Sequence, residues 1–466
     1  AQIRDALGAV STVTQVVTVR PGNATAGIVN AMNQITSSLN NADTETVSQL
    51  VSVISTALNQ PTSITVPPTV NLTCTNSCSG HGTCTASGCI CASNYVLEDC
   101  SLTDEELKQR QQLRETLVTS LFESFNQTKS SGAPITPEVV SQGAAVLAQV
   151  TSNPSELSST AQSTAVQFMT SILSATTSIT TESAKLVTTS ISNVASAAFK
   201  PTTSTSSPVS SVEQRALSQQ ITSLVSSIMS AVLVDLVPGE PPVELVTPVI
   251  SVSASRQESA SLNNLRVDLA TFGNANAAVI LPTDIATSAG LNGVVDIQAV
   301  NYAVNPYAYS NSSMNVSSSI LSFSLKSSSK SGTTRNAKQT SIPVKNLPEP
   351  IIFTIPGKFN QFPLQKSVND CLVEATFIPS CRYWDTAKET WQTDGCERRA
   401  ITADYILCAC NHLTDFASLV ELVIPEMNLL TPQDLTLITK LNTDNMAIAI
   451  ICGVLLLGYF ILFFFV

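Results

Sequence analysis

The sequence predicts a multidomain chain: an α-helical subdomain followed by an antiparallel β-sandwich, with a small disulfide-rich module among the helices and a C-terminal transmembrane helix. Three observations carry this prediction. Apolar residues step by three and four through the first half of the chain and alternate in short β-branched runs through the second. The 12 cysteines fall into two dense clusters, Cys74 to Cys100 and Cys371 to Cys410, with Cys452 apart. The final stretch, Met446 to Val466, carries no charge.

The helical stepping is clearest in SVEQRALSQQITSLVSSIMSAVLVDL, where Leu217, Ile221, Leu224, Val225, Ile228, Met229 and Val232 form one stripe. It recurs in VSQLVSVISTALNQP near residue 50, in EELKQRQQLRETLVTSLFESF after Asp104 and in AQSTAVQFMTSILSATTSI. Four or more helices are therefore expected within residues 1–236, with KPTTSTSSPVSS as a flexible loop open to O-glycosylation. After the breaker Pro238-Gly239-Glu240-Pro241-Pro242 come VELVTPVISVS, LRVDLATF, AAVIL, GVVDIQAVNYAV, SMNVSSSILSFSL, SIPVKNL and PIIFTI. Short runs of this kind between Gly, Pro and Asn turns predict strands of an antiparallel sandwich.

Composition removes several function classes. The net charge is −11 with 12% of residues charged, which leaves no Lys/Arg cluster to neutralise phosphates and excludes a nucleic-acid partner. Hydrophobic residues make up 43% of the chain, enough for most of it to fold. Only two histidines are present, His81 and His412, too few for a His-based metal site or a Ser-His-Asp hydrolase. No glycine-rich phosphate loop and no paired-carboxylate pattern stands out.

Compartment and topology follow from three features. Clustered cysteines imply disulfides in an oxidising compartment, and sequons at Asn23, Asn71, Asn126, Asn311 and Asn315 agree with secretion. Met446 to Val466 is just long enough to cross a hydrocarbon layer of about 30 Å as a helix, so a membrane is an expected partner. Together they place residues 1–445 outside the cytosol, as a single-pass chain in what is given. The chain opens on Ala1 without a signal pattern and reads as processed or excised from something longer.

The first cysteine cluster reads C-x3-C-x5-C-x4-C-x-C-x8-C, a spacing that by itself leaves every pairing open. With SGHGTC at its centre and CASNYVLEDC at its end, residues 74–100 resemble an EGF-like module of the tenascin type. The resemblance implies the pairs Cys74–Cys84, Cys78–Cys89 and Cys91–Cys100. Asn94 and Leu97 stand where that family carries glycines. No acidic residue lies in Val70-Asn71-Leu72-Thr73, which argues against its calcium-binding subtype, and a zinc site would need free thiolates that an oxidising compartment denies. No metal and no cofactor is expected.

The second cluster is more specific. CRYWDTAKETWQTDGCERRAITADYILCACNHLTDFASL resembles, through Cys381, Trp384, Trp391, Gly395, Cys396, Cys408, Cys410, Asn411, His412, Leu413 and Thr414, the GPS motif that closes a GAIN domain. The resemblance implies a helical REJ- or GAIN-like segment at 1–73, the EGF-like module at 74–100 and helical GAIN subdomain A at 101–236. It further implies β-sandwich subdomain B at 237–425 with the GPS motif at 371–419, a stalk at 426–445 and a first transmembrane helix at 446–466. Cys381, Cys396, Cys408 and Cys410 are the sulfurs that motif uses as disulfides. Cys371 is a fifth, for which an intermolecular pair, a free thiol and a reshuffled pattern all stand open.

A threonine hydroxyl is a poor nucleophile until a base takes its proton, and histidine is suited to that near neutrality. His412 lies two residues before Thr414. The family's mechanism implies attack of the Thr414 hydroxyl on the Leu413 carbonyl, an N-to-O acyl shift, and hydrolysis of the ester. That is single-turnover autoproteolysis, and the chain is not an enzyme with an external substrate. Phe416, Leu419 and Leu422 after the cut have the spacing of a core strand, so the chain's own cleaved C-terminal fragment is an expected partner, held as a tethered strand.

The long segment between Thr414 and Met446 is similar to the stalk of polycystin-1-like proteins, which makes the first expectation the ectodomain of such a receptor or calcium-channel-associated protein in the plasma or ciliary membrane, sensing force or ligand. A polycystin-2-like channel subunit or an extracellular ligand would then be a further partner. The alternatives are the ectodomain of an adhesion G-protein-coupled receptor with a tethered agonist, and an uncleaved structural membrane adhesion protein.

Overall fold

The computed structural model describes residues 2–4, 10–12, 24–41, 43–59, 74–85, 88–176, 179–199, 211–270, 272, 276–310, 316–327, 340–359, 364–368, 371–423 and 446–465. The sequons at Asn23, Asn71, Asn311 and Asn315, the loop 200–210 and the stalk 426–445 lie outside the described residues. The chain divides into two compact units, one of residues 1–360 and 379–420, the other of residues 361–378 and 421–466.

The first unit begins with a short antiparallel pair, β1 (Gln2–Arg4) and β2 (Val10–Thr12), where the sequence led us to expect only helix. Helices α1 (Ala24–Asn40) and α2 (Thr44–Leu58) follow, and after the cysteine module come α3 (Asp104–Ser130), α4 (Pro137–Val150), α5 (Ser159–Ala175), α6 (Thr181–Ala198) and α7 (Ser211–Leu233). Their starts are written in the sequence: Asp43, Thr136, Ser158 and Thr180 each accept a backbone N–H of the first turn, and Thr103 with Glu106 forms a reciprocal capping box on α3. The apolar stripes converge on one core that includes Val51, Ile54, Leu117, Leu147, Phe168, Met169, Val187, Ile191, Leu224 and Ile228. Helix α7 is long and apolar enough to cross a membrane, but its stripe is part of this core. Each nitrogen of the buried Arg114 guanidinium has an acceptor, Glu156 at 2.7 Å, Asn59 Oδ1 at 2.8 Å and the Val150 carbonyl, and the side chain so ties α2, α3 and the end of α4 together.

The cysteine module contains the hairpin β3 (Gly82–Thr85) and β4 (Gly88–Cys91) and the pair β5 (Tyr95–Val96) and β6 (Leu102–Thr103). Disulfides join Cys74 to Cys84, Cys78 to Cys89 and Cys91 to Cys100. The sulfurs of Cys74, Cys78 and Cys84 lie within 4.8 Å of one another, and each is spent in a disulfide, which leaves no thiolate there for a metal. Asn94 and Leu97 adopt φ of +73° and +74°, the left-handed region that glycine enters without cost. The module passes into α3 without a linker, because Thr103 both ends β6 and caps the helix.

Two sheets complete the first unit. The larger runs in the order β16–β20–β12–β11–β8–β7, formed by β16 (Cys371–Asp385, here from residue 379), β20 (Asp415–Val423, here to residue 420), β12 (Ile320–Ser327), β11 (Val294–Tyr302), β8 (Ile250–Glu258) and β7 (Val243–Val246). β13 (Thr340–Ser341) pairs with β12, and β17 (Thr390–Gln392) with β16. The smaller runs β18 (Cys396–Ile401), β19 (Tyr405–Cys410), β14 (Ile351–Pro356), β10 (Ala277–Ile280), β9 (Arg266–Leu269), every registered pair being antiparallel.

Burial shows why the strands differ in sequence. Ile297, Ala299, Leu321, Phe323 and Phe416 of the larger sheet pack with Val279, Ile351, Phe353, Ile406 and Cys408 of the smaller. The opposite face of the larger sheet, with Ile250, Val252, Val300, Tyr302 and Leu419, packs into the helical core. The larger sheet is thus covered on both faces, and β8 and β11 are buried almost end to end, whereas β14 in the smaller sheet alternates. Between α7 and the larger sheet runs a polar seam in which Lys326 Nζ donates to Ser226 Oγ at 2.7 Å and Gln298 Nε2 to Ser230 Oγ at 3.1 Å. Beside it Arg256 grips Asp296 with two bonds of 2.6 and 3.0 Å.

One strand expectation fails. Only Ser341 of SIPVKNL is in a strand, and Ile342 to Leu347 is irregular because Pro343 has no N–H for a ladder. In the second unit, β15 (Leu364–Val368) and the first residues of β16 form a hairpin, from Leu364 opposite Ala375 to Val368 opposite Cys371, and Met446–Phe465 is a single uninterrupted helix.

Candidate functional site

Residues 411–414 form the bend between β19 and β20. Because β19 belongs to the smaller sheet and β20 to the larger, this bend is where the chain crosses the sandwich. Disulfides brace its approach: Cys396 to Cys410 on neighbouring strands and Cys381 to Cys408 between the two sheets. The backbone of the bend is pinned on several sides. Asn411 N donates to Gly395 O at 3.0 Å and Leu413 N to Val344 O at 3.2 Å, while Leu347 N donates to Asn411 O at 2.9 Å. The irregular segment 342–347, unable to form a strand, is thus the cradle of the bend.

The structure brings His412, Leu413 and Thr414 together in that bend. His412 lies edge-on to Tyr383, ring centroids 4.3 Å apart, and its Nδ1 is 3.0 Å from Asn411 Oδ1. An amide oxygen only accepts, so Nδ1 carries the proton and Nε2 keeps its lone pair. Nε2 is buried and has no hydrogen-bond partner among the described residues. Burial, reinforced by the positive charge of Lys345, holds the imidazole below its ordinary value of 6.5 and so keeps it neutral. The Thr414 hydroxyl donates to the carbonyl of Trp384 at 3.0 Å. It rests on a backbone acceptor and not on the imidazole.

Gly395 sets the position of Asn411. Its φ is +76°, and a Cβ there would lie 2.3 Å from Asn411 Oδ1. Trp384 and Trp391, which the motif also marks, are buried with ring centroids 5.3 Å apart.

Two neighbours of the bend were not singled out by sequence reasoning. Asp415 keeps intermediate exposure as a residue, but its carboxyl is enclosed; burial raises its pKa, against the opposing pull of hydrogen bonds from Ser322 and Tyr307. Tyr307, whose hydroxyl donates to Asp415 Oδ2, is itself raised well above its usual value, first by burial and then by that carboxylate. Asp415 lies within the motif stretch beside Thr414, but no signal marked Tyr307, which lies 108 residues from its partner and outside the cysteine-rich motif.

Past the bend, Phe416 and Leu419 are buried on β20, with Phe416 stacked on Phe353 at 4.1 Å. Leu422 lies on the same strand, and its side chain, like that of Cys371 on β16, falls outside the described residues. Asn126, the described sequon, is exposed on α3.

Comparison with known proteins meets this geometry from outside. A stretch of 61 residues is 30% identical to "Latrophilin Cirl" of Drosophila persimilis, covering 13% of this chain and 4% of that protein. Another of 47 residues is 38% identical to "Adhesion G-protein coupled receptor F1" of Mus musculus, covering 10% of this chain and 5% of that protein. Among solved structures, the full extracellular region of zebrafish Gpr126/Adgrg6 is similar at 16% identity with a TM-score of 0.39, over 60% of this chain and 35% of that one. Residues 244–423, from β7 through the end of β20, match the family described as "GPS: GAIN subdomain B".

Proposed function

We propose that this chain is the extracellular region of a membrane receptor of the adhesion-receptor kind, and that it cuts itself once between Leu413 and Thr414. The observation that carries the reading is His412 Nε2: a buried lone pair without a partner among the described residues, on a ring held neutral, in a pinned bend two residues from a threonine hydroxyl. A buried acceptor without a partner carries a cost of about 1–3 kcal/mol, which a catalytic role would explain.

The chemistry follows from the atoms. The Thr414 hydroxyl leaves the Trp384 carbonyl by rotation about its side-chain bond and gives its proton to His412 Nε2 as its oxygen bonds to the Leu413 carbonyl carbon. The imidazolium returns the proton to the Thr414 nitrogen as the C–N bond breaks, which leaves an ester. Water hydrolyses the ester to a Leu413 carboxylate and a free Thr414 hydroxyl. Holding nucleophile and carbonyl in one pinned bend supplies the proximity that such a step needs.

The alignments to adhesion receptors support that parent class over a polycystin-1-like one, for which the long segment between Thr414 and Met446 remains the supporting feature. The tenascin-type assignment of the cysteine module rests on its spacing and pairing. The C-terminal helix, 20 residues without a charge, is about 30 Å long and suits a bilayer core, which would place residues 1–445 outside the plasma membrane.

The test is expression through a secretory pathway followed by a denaturing gel and N-terminal sequencing. Two fragments are expected, the smaller beginning at Thr414, and Thr414→Ala or His412→Ala should leave one full-length band. An uncut wild-type chain, or a cut that survives Thr414→Ala, overturns the reading.

A further inference from the structure

Tyr307 sits in the turn after β11, far in sequence from the bend, yet it touches two neighbours of the nucleophile. Its hydroxyl donates to the carboxyl of Asp415, the residue after Thr414. Its ring stacks on Trp384 at 4.1 Å between centroids and 20° between planes, and the carbonyl of Trp384 is the acceptor of the Thr414 hydroxyl. Trp391 closes the cluster, edge-on to Tyr307 at 5.6 Å.

The turn that carries Tyr307 is itself held. Asn305 Oδ1 accepts the Tyr307 amide at 2.9 Å, and the Pro306 carbonyl accepts the hydroxyl of Ser218 on α7. Helix α7 reaches the β16–β17 hairpin as well, through the ion pair of Arg215 with Glu389, whose carbonyl also accepts Ser310 Oγ at 3.1 Å. The last helix of the helical subdomain therefore contacts both the turn holding Tyr307 and the hairpin carrying Trp384 and Trp391.

We propose that Tyr307 is a positioning residue for the self-cleavage: by bonding Asp415 and stacking on Trp384 it holds residue 414 in its place in the bend, from which the hydroxyl turns to the Leu413 carbonyl, and through the Ser218–Pro306 bond its turn is connected to α7. This rests on the proposed cleavage for its consequence, but not for its geometry. Tyr307 touches neither the imidazole nor the Leu413 carbonyl in the contacts described above. It acts through the two neighbours of Thr414.

The experiment has two arms on the full-length chain. In the first, Tyr307→Phe, which keeps the ring and loses the hydroxyl, is produced by cell-free synthesis and its cleavage followed in time at several pH values. About tenfold slower cleavage is expected, equivalent to about 1.4 kcal/mol of barrier, with the midpoint of the pH profile unchanged because the base is untouched. Tyr307→Ala, which also loses the stacking, should be slower still. In the second arm, Tyr307→Phe is placed in the uncut Thr414→Ala chain and amide hydrogen exchange is read. Faster exchange confined to residues 413–416, with the rest of β12 and β20 as protected as before, is expected.

Unchanged exchange at 413–416 overturns the positioning role whether or not the chain cleaves. Changed exchange in a chain whose wild-type form never cleaves upholds the positioning of residue 414 and removes the proposed function instead. A shift of the pH midpoint in Tyr307→Phe also overturns the proposal, since it would show Tyr307 acting on the base.

Discussion

His412 Nδ1 lies 3.0 Å from Asn411 Oδ1, so the residue before the imidazole decides which nitrogen carries the proton. The other nitrogen is left buried and free to accept. Histidine's ordinary value is 6.5, and burial with Lys345 nearby lowers it here. Between the lowered and the ordinary value the unfolded chain binds more protons than the folded one. The stability due to the neutral ring is therefore fully present above 6.5 and lost as pH falls through the folded value. Cleavage should follow the same group: its rate should rise with pH through a midpoint below 6.5 and then level off. Asn411→Ala removes the acceptor at Nδ1, frees the tautomer and should slow cleavage by roughly tenfold or more. Time courses of cell-free-synthesised chain across pH 4.5 to 8 check both, and a midpoint above that of free histidine would contradict the neutral, buried ring.

Gly395→Ala should act through the same amide. The new methyl would meet Asn411 Oδ1 at 2.3 Å on a backbone whose φ is +76°, so side chain and backbone both resist it. Left-handed backbone at a non-glycine residue costs about 1–3 kcal/mol, and here the displaced atom is the one that orients His412. Cleavage should fall by roughly tenfold or more while both disulfides, Cys381–Cys408 and Cys396–Cys410, still form. Peptide mapping without reduction, alongside the gel assay, separates this outcome from a failure to fold.

Leu97→Gly should stabilise the cysteine module. Leu97 holds φ at +74°, where a side chain is penalised by roughly 1–2 kcal/mol and glycine is not. Part of the gain is lost to glycine's freedom in the unfolded chain, which leaves about 0.5–1 kcal/mol. Slower reduction of Cys91–Cys100 by a dithiol and slower amide exchange within residues 88–103 are the expected readouts, with cleavage at Leu413 unaffected.

What the sequence made legible was local. Helices were readable because apolar residues step by three and four within one segment, and the His412-Leu413-Thr414 motif because its residues are consecutive. The β-branched runs VELVTPVISVS and GVVDIQAVNYAV marked strands, but not which of their faces would be covered. Ser251, Ser253 and Ser255 are buried beside Asn301, Ala299 and Ile297 because the smaller sheet covers that side. A strand's own pattern cannot show what a distant sheet will cover. SIPVKNL read as strand by composition, while its use as the cradle for Leu413 depends on a partner 69 residues on from Val344. Tyr307 was invisible for the same reason.

Phe416 tests whether the two products stay together. Its ring is 1% exposed and stacked on Phe353 of the opposite sheet, while the strand that carries it pairs with β12 from Leu321 opposite Phe416. A cut at Leu413 leaves this strand with all of these contacts and removes only one covalent bond at its start. Burying a large apolar side chain contributes about 1.5–3 kcal/mol, and Leu419 adds a second on the opposite face of the sheet, toward the helices. The strand should therefore stay in place on non-covalent terms, and washed membranes should retain the fragment that ends at Leu413. Phe416→Asp places a charge between two apolar sheets with no partner and should release that fragment under native wash, or prevent the sandwich from closing at all. Phe416→Leu distinguishes the two, since it keeps an apolar filler at a cost of about 1–3 kcal/mol and should fold, cleave and remain associated. Complete release of the wild-type fragment in mild buffer, with the cut confirmed by sequencing, would show instead that cleavage sheds the ectodomain and that β20 is not what holds it.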